Sequence, residues 1–204
     1  MIAVLDYGIG NIGSIRNMLM KAGENDVEFV YSPEQLVKAE KIILPGVGSF
    51  DMGMELLNRS GMRCELDKQI IENRKPILGI CLGMQMMGKG SEEGKRDGLG
   101  YLNFKCQKFR VEHMLLKVPH MGWDYVKAIK ENPLVCNLGD RPRFYFVHSY
   151  HAVCEDEEDI LLKCEYGYEF AAAIQRENIY GTQFHPEKSH KFGMQLLKNF
   201  IKEL

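Results

Sequence analysis

One cysteine in this chain of 204 residues stands in a context that suits a nucleophile. Cys81 lies between Gly79 and Gly83 and follows the apolar run 76–80. A Gly-x-Cys-x-Gly pattern of this kind is a nucleophile elbow with Cys in place of Ser, in which a strand turns sharply into a helix. The glycines allow the strand and the helix to approach closely, and the helix N-terminus favours a thiolate. On this stretch alone, a small buried cysteine beside glycines explains the pattern equally well.

A second stretch supplies what a thiol nucleophile needs. His185 follows a hydrophobic predicted strand, and Glu187 stands two residues further on. An imidazole can take the proton of the thiol, and a carboxylate on the other ring nitrogen fixes the tautomer. Residues i and i+2 project to the same side of an extended chain, and Pro186 stiffens the segment. We therefore predict a Cys81–His185–Glu187 catalytic triad in preference to a surface His–Glu pair.

Glycine-bearing loops follow two other predicted strands. In the loop Pro45–Phe50, glycines let backbone N–H groups point at a substrate or an oxyanion. The stretch Gly8–Gly13 formally matches the dinucleotide pattern G-x-G-x-x-G. No acidic residue closes the second predicted strand, so we interpret these glycines as a tight turn from strand to helix.

Strands and helices alternate over the first 90 residues, which predicts a parallel, doubly wound α/β sheet. Ligands of such sheets bind outside the carboxyl ends of the strands, where Asp6, Gly46–Gly48 and Cys81 fall. The predicted strands are 1–6, 27–31, 41–44 and 77–80, and the predicted helices are 11–22, one starting at Ser32-Pro33, 51–58, 62–73 and 82–88.

The pattern changes after a polar, glycine-rich loop at 89–100. Short strands are predicted at 101–112, 123–128, 144–152, 160–165, 169–175 and 179–184, followed by an amphipathic helix over 188–204. This half is expected to be antiparallel or mixed and to pack beside the parallel half. Because no linker separates the two halves, we predict a single domain over 1–204.

Bulk properties narrow the class of protein. A formal net charge of -2 gives no sign of nucleic-acid or membrane-surface binding, and no stretch approaches the roughly 20 apolar residues of a membrane span. The N-terminus reads as a first strand and not as a signal peptide. We expect a cytoplasmic protein with reduced thiols and no zinc site, because its cysteines are scattered without a C-x-x-C pair: Cys64, Cys81, Cys106, Cys136, Cys154 and Cys164.

These motifs resemble the class I (triad) glutamine amidotransferases, which hydrolyse glutamine and pass ammonia to a partner. The elbow Gly79–Gly83 with Gln85, and the motif His185-Pro186-Glu187, carry the likeness to the class. Within it, the chain is similar from end to end to glutaminase subunits of imidazole glycerol phosphate synthase. The resemblance implies a flavodoxin-like three-layer fold, with a central mostly parallel sheet and an added antiparallel region, and no cofactor. The closer likeness rests on Asp6–Asn11, Leu44–Phe50, Pro119–Trp123, Tyr145–Tyr150 and Gln183–Ser189.

The resemblance implies a role for each member of the predicted site. Cys81 would attack the amide of L-glutamine and form a thioester. His185 would act first as general base and then as the acid that protonates ammonia, while Glu187 orients it. The backbone N–H groups of Val47 and Leu82 would form the oxyanion hole, that of Val47 after its peptide reorients.

The resemblance also implies a substrate pocket and a partner. The partner would be a (β/α)8-barrel cyclase subunit in a heterodimer, with ammonia moving through the barrel to an intermediate of histidine biosynthesis. Asn11, Trp123 and Lys188 would face that subunit. The glutamine pocket would be lined by Gly46, Gly48, Gln85, His148, Ser149 and Tyr150.

Two departures from the family pattern leave alternatives open. Asp124 stands where the family usually has Asn, and the stretch 101–118 is unlike the usual glycine- and proline-bearing version. A paralogue that supplies ammonia for amidination of a surface-polysaccharide sugar is therefore an alternative. An inactive regulatory or scaffold homologue is disfavoured because all triad residues are present, and a γ-glutamyl peptidase is disfavoured by Pro119–Trp123.

Overall fold

The structure, a computed structural model, describes residues 1–111 and 114–204. Six α-helices lie in these ranges: α1 (Ile12–Lys21), α2 (Pro33–Val37), α3 (Phe50–Arg59), α4 (Arg63–Asp67), α5 (Leu82–Met86) and α6 (His190–Lys202). The strands are β1 (Ile2–Leu5), β2 (Val27–Val30), β3 (Lys41–Leu44), β4 (Ile77–Ile80), β5 (Gly90–Ser91), β6 (Phe104–Lys108), β7 (His120–Ala128), β8 (Arg143–His148), β9 (Tyr150–Cys154), β10 (Ile160–Tyr166), β11 (Tyr168–Arg176) and β12 (Ile179–Thr182).

The parallel half of the sheet has the order β2-β1-β3-β4-β12. Every residue of β1, β4 and β12 is buried, as expected for strands covered on both faces. β12 comes last in sequence, yet it pairs in parallel with β4, with Ile80 opposite Thr182. This arrangement confirms the predicted α/β fold and brings the ends of β4 and β12 together.

The antiparallel half is an extension of the same sheet. β11 pairs with β12, and β10, β7 and β8 follow outward in antiparallel order. A branch of β9, β6 and β5 leaves the main sheet at β11. This half is antiparallel or mixed and lies beside the parallel half, as expected, and backbone hydrogen bonds between β11 and β12 join the two halves.

Several predicted element bounds were wrong. The stretch predicted as one strand over 144–152 is two strands separated at Ser149, because β8 pairs with β7 whereas β9 pairs with β6 and β11. The predicted strand 101–112 is limited to β6, and its residue 112 lies outside the described ranges. The predicted helix 62–73 is α4 followed by a π-helical segment, Lys68–Glu72, and the predicted loop 89–100 contains β5.

Helices cover both faces of the sheet, which makes the fold three-layered. Ile43 and Leu44 of β3 pack into different hydrophobic clusters, because successive residues of a strand point to opposite faces. α3 packs on the face of Leu44, and α1 and α6 pack on the face of Ile43. In the described ranges, no helix is both long enough and apolar enough to span a membrane.

Glycines allow α5 to lie directly against the strands beneath it. A Cβ atom built on Gly83 would lie 1.9 Å from the carbonyl oxygen of Leu44, and one on Gly79 would lie 2.7 Å from the nitrogen of Met84. A Cβ on Gly46 would lie 2.8 Å from the nitrogen of Gly83. The close approach predicted at the Gly-x-Cys-x-Gly turn is thus confirmed, and the loop after β3 takes part in it.

We predict that Gly83→Ala lowers the free energy of unfolding by more than about 3 kcal/mol, because its methyl group overlaps a buried backbone carbonyl that cannot move aside. Gly13→Ala is the matched control, since this glycine is exposed in α1 and no atom lies within 4 Å of its added Cβ. The control should be neutral or stabilising by up to about 1 kcal/mol. Urea unfolding of both variants measures the difference, and equal stabilities would contradict the prediction.

Candidate active site

Two neighbouring strands deliver the predicted catalytic side chains to one edge of the sheet. β4 ends at Ile80 and β12 ends at Thr182, and these two residues are paired in register. The N–H of Cys81 donates to the carbonyl oxygen of Thr182 over 2.8 Å, so the pairing continues to the elbow itself. His185 follows three residues after β12. Residues more than a hundred positions apart in sequence therefore meet at the carboxyl end of the sheet.

Cys81 has the backbone conformation of a nucleophile elbow. Its φ is +54° and its ψ is -109°, a combination that L-residues rarely adopt. The strained turn is held from both sides, because Cys81 donates to Thr182 and its carbonyl oxygen accepts from the N–H of Gln85 over 3.1 Å. Strain that is held in this way is characteristic of functional sites. Cys81 is 8% exposed and lines a cavity.

His185 and Glu187 form a buried pair beside the cysteine. Nδ1 of His185 lies 2.8 Å from Oε1 of Glu187, and both side chains are nearly inaccessible to solvent. The extended geometry predicted for this stretch is wrong, since β12 ends at Thr182 and Pro186–Lys188 forms a 3-10 turn. The turn, and not the alternation of a strand, brings the carboxylate to the ring. Within the described residues, Nε2 of His185 is buried and makes no hydrogen bond by distance and angle.

The surroundings of His185 favour its charged form. Burial acts to lower the pKa of His185, but Cys81 and Glu187 beside the ring outweigh it and raise that pKa from 6.5 to about 9. An imidazolium between a sulfur and a carboxylate stabilises negative charge on the sulfur. The arrangement can therefore serve nucleophilic attack followed by proton transfer to a leaving group.

A glutamine that sequence reasoning left out of the site lies next to the sulfur. Nε2 of Gln183 is 3.8 Å from Sγ of Cys81, and its Oε1 accepts from Nε2 of Gln85 over 3.0 Å. Nε2 of Gln85 also donates to the carbonyl oxygen of Tyr150 over 3.0 Å. Gln183 is completely buried. A polar residue in an apolar stretch directly after a strand was the available signal, because such a group must find partners inside the protein.

A cavity of about 330 Å³ opens over Cys81. Gly46 and Glu187 do not line it: Gly46 packs against α5, and Glu187 lies behind His185. A larger cavity of about 680 Å³, between Ala128 and Cys136, contains none of the predicted site residues. The predicted residues that do line the site cavity are Val47, Gly48, Cys81, Leu82, Gln85, His148, Ser149, Tyr150, His185 and Lys188, together with Glu93, Pro119 and Val147, which were not predicted.

The two residues whose N–H groups are predicted to form an oxyanion hole line the same cavity as Cys81. Leu82 is the first residue of α5, so its N–H has no acceptor within that helix. Val47 is 42% exposed in the loop after β3, and the next residue, Gly48, has a φ of +101°. A glycine in this conformation leaves the preceding peptide free to reorient.

The residues predicted to face a partner lie at the surface around this edge. Asn11 is exposed at the start of α1. Trp123 is 38% exposed and stacks on the ring of His190 at 5.2 Å between centroids. Nζ of Lys188, at the rim of the cavity, lies 5.8 Å from the ring of Tyr145.

The comparisons with known proteins agree with this geometry. The sequence model of the family described as class-I glutamine amidotransferase matches residues 3–204. The chain belongs to the class I glutamine amidotransferase family. It is 53% identical to "Imidazole glycerol phosphate synthase subunit HisH 2" of Methanococcus maripaludis, over 100% of both chains. It is 51% identical to the protein of the same name from Pseudomonas aeruginosa, over 98% of both chains.

Solved structures at lower sequence identity share the fold. The "Structure of PurLQS from Thermotoga maritima" superposes with a TM-score of 0.76 at 19% identity, covering 99% of this chain and 97% of that chain. A glutamine amidotransferase from Thermotoga maritima gives a TM-score of 0.67 at 17% identity, covering 100% of this chain and 83% of that chain. At these identities the likeness establishes the architecture alone.

The raised pKa of His185 predicts a pH-dependent stability. A group whose folded pKa is raised stabilises the fold fully below its unfolded pKa of about 6.5, and this stabilisation is lost as the pH rises through about 9. The free energy of unfolding should therefore fall over this window, by at most about 3 kcal/mol. Glu187→Gln should flatten the fall, because it removes one of the groups that raise the pKa.

Urea unfolding at a series of pH values between about 6 and 10 measures this slope. Glu131→Gln is the control, because Glu131 is exposed and lines the larger cavity, which contains none of the predicted site residues, and it should retain the slope of the wild type. If the free energy of unfolding of Glu187→Gln falls with pH as steeply as that of the wild type, Glu187 does not raise the pKa of His185.

Proposed function

We propose that this chain is the glutaminase subunit of an imidazole glycerol phosphate synthase. In this role it hydrolyses L-glutamine to glutamate and ammonia, and the ammonia serves histidine biosynthesis. One observation carries the proposal: the strained elbow of Cys81 opens into the same cavity as His185, whose other ring nitrogen is held by Glu187. Nucleophile, base and orienting carboxylate are thus present together.

The reaction follows from these positions. Sγ of Cys81, as the thiolate beside the imidazolium of His185, attacks the side-chain amide carbon of glutamine. The tetrahedral intermediate expels ammonia with a proton from His185, which leaves a thioester on Cys81. Water then attacks the thioester while His185 accepts one of its protons, and glutamate and the thiol are released. Glu187 keeps the ring in the orientation that both proton transfers need.

The cavity carries groups that match the substrate. The N–H groups of Val47 and Leu82 stabilise the oxyanion of the intermediate, with the peptide before Gly48 reorienting to complete the pair. The carboxylate of Glu93 lines the cavity and suits the ammonium group of an amino acid. Oε2 of Glu93 accepts from the N–H of Phe50 over 2.8 Å, which ties it to the start of α3.

A partner subunit completes the proposed function. The relatives compared above are named as subunits of a synthase. We place a (β/α)8-barrel cyclase over the edge that carries Asn11, Trp123 and Lys188, forming a heterodimer in which ammonia passes to the cyclase without meeting bulk water. The free state of all six cysteines supports assignment to the reducing cytoplasm.

We predict that Cys81→Ser lowers glutamine hydrolysis by the complex at least about 10³-fold, because the hydroxyl is a far weaker nucleophile than the thiolate. Synthesis supplied with external ammonium salt should continue at the wild-type rate. Cys64→Ser is the control, since Cys64 is an exposed thiol outside the cavity, and it should leave both activities unchanged. Glutamate release and product formation are measured in the same preparation. Hydrolysis that survives in Cys81→Ser would refute the role of Cys81.

The acceptor of the ammonia is tested by complementation. Co-expression of this chain with its cyclase partner should restore growth of a histidine auxotroph that lacks both subunits. The alternative acceptor is a surface-polysaccharide sugar. Two observations favour it: Asp124 departs from the family pattern, and both relatives carry the number 2 in their names, as a second copy of the subunit would. An active glutaminase complex that fails to complement would favour that alternative.

A further inference from the structure

A chain of hydrogen bonds leads from the surface of β7 into the core. Oδ2 of Asp124, whose side chain is 40% exposed, lies 2.6 Å from Nε2 of the buried His120. Nδ1 of His120 lies 3.2 Å from Nε2 of His148. Nδ1 of His148 lies 2.8 Å from the carbonyl oxygen of Tyr150. Asp124 is thereby linked to a backbone group at the wall of the site cavity.

The chain of hydrogen bonds continues from Tyr150 to the catalytic sulfur. The carbonyl oxygen of Tyr150 also accepts from Nε2 of Gln85, which in turn donates to Oε1 of Gln183. Nε2 of Gln183 lies 3.8 Å from Sγ of Cys81. Each group is hydrogen-bonded to the next, so the position of the Tyr150 carbonyl affects the amide of Gln85 and, through it, the amide of Gln183 beside the thiol.

Counting protons shows what the first part of this chain requires. Three contacts join Asp124, the two imidazoles and the carbonyl oxygen of Tyr150, and each contact needs one proton between its two heavy atoms. A carboxylate and a carbonyl supply none, and two neutral imidazoles supply two. One contact would then set two lone pairs against each other inside the protein, which is costly. A third proton satisfies all three contacts.

We propose that Asp124 is a positioning residue whose pair with His120 holds this third proton, and that the loaded pair keeps the Tyr150 carbonyl in place for the glutamine site. The presence of the third proton is a property of this protein alone, whereas the positioning role rests on the proposed glutaminase function. Asp124 itself does not touch the substrate cavity, so it acts through His120 and His148.

The direction of a pH effect follows from the surroundings of His120. Burial lowers the pKa of His120, and the hydrogen bond and charge of Asp124 act against burial. The third proton is therefore present at low pH and lost as the pH rises, which breaks one contact of the chain. Titratable groups lie near the pair on β8, β9 and β10. His148 contacts His120, Tyr166 stacks on His120, and Cys164 lies near Asp124. Further out, His151 lies near His148 and bonds to the hydroxyl of Tyr168 on β11.

Asp124→Asn tests the role of the third proton, because it removes the charge of the side chain with little change in its shape. The amide of an asparagine can donate to Nε2 of His120, so the three contacts are satisfied with both imidazoles neutral. The variant should lose the titration and retain the hydrogen-bond chain.

The proton is detected by ¹⁵N NMR of the histidine rings of the full-length chain, titrated from about pH 5 to 9. In the wild type, His120 should carry protons on both ring nitrogens at the acidic end and lose one as the pH rises. In Asp124→Asn it should be neutral over most of the range, with its proton on Nδ1. A proton found on the carboxyl of Asp124 by ¹³C NMR also supports the loaded pair. A neutral His120 and an ionised Asp124 throughout, or identical titrations in both proteins, would overturn it.

The positioning role is tested on the complex with the cyclase subunit. The KM for glutamine of the wild type should rise by up to about tenfold across the titration of the pair, the effect of one broken hydrogen bond. Asp124→Asn should lack this rise, while the pH dependence of kcat that arises from His185 remains in both. Glu131→Gln should behave as the wild type. An equal rise of KM in Asp124→Asn would overturn the positioning role.

The two readouts separate this proposal from the proposed function. The NMR result does not depend on any enzymatic activity. If the pair is loaded but the complex hydrolyses no glutamine, the glutaminase assignment and the positioning role fail and the proton count stands. If glutamine is hydrolysed and neither His120 nor Asp124 takes the proton, the glutaminase assignment stands and the positioning proposal fails.

Discussion

The parallel pairing of β12 with β4 is the contact on which the catalytic geometry depends. These strands lie far apart in the sequence, and their register puts Ile80 opposite Thr182. The hydrogen bond from Cys81 to Thr182 extends the pairing by one residue and holds the elbow. Without this register, His185 would not stand beside the thiol. The segment between these two strands forms the antiparallel half of the sheet. Its last strand, β11, pairs with β12 and so returns the chain to the side of β4.

Close packing of backbone on backbone is the second constraint, and it explains the glycines of the elbow. α5 rests on β4 and on the loop after β3 so closely that Gly46, Gly79 and Gly83 have no room for a Cβ atom. This packing holds the turn at the positive φ that Cys81 adopts, at a cost of order 1–3 kcal/mol. The same contact sets the loop of Val47 beside Leu82, so the proposed oxyanion donors and the nucleophile are positioned together.

Burial of polar groups gives the site its charge distribution. His185 lies between Cys81 and Glu187 and so favours its charged form. Burial lowers the pKa of His148 to about 3, so this ring remains neutral and can accept a hydrogen bond from His120 while donating one to the carbonyl oxygen of Tyr150. The pKa values of His185 and His148 shift in opposite directions. His185 lies beside Cys81 and Glu187, whereas His148 is buried among aromatic rings, including Phe109 and Phe170.

The sequence by itself determined the fold class, the elbow and the motifs of the family, because these depend on local patterns: glycines at a turn, apolar runs and a His-Pro-Glu triplet. It missed the break at Ser149, the turn after His185 and the place of Gln183 beside the sulfur, because each depends on contacts with residues distant in sequence. Only the tertiary structure decided the partners of Asp124 and His120. A hydrogen bond is specified by the distance between two atoms, and that distance is set by the packing of the whole sheet.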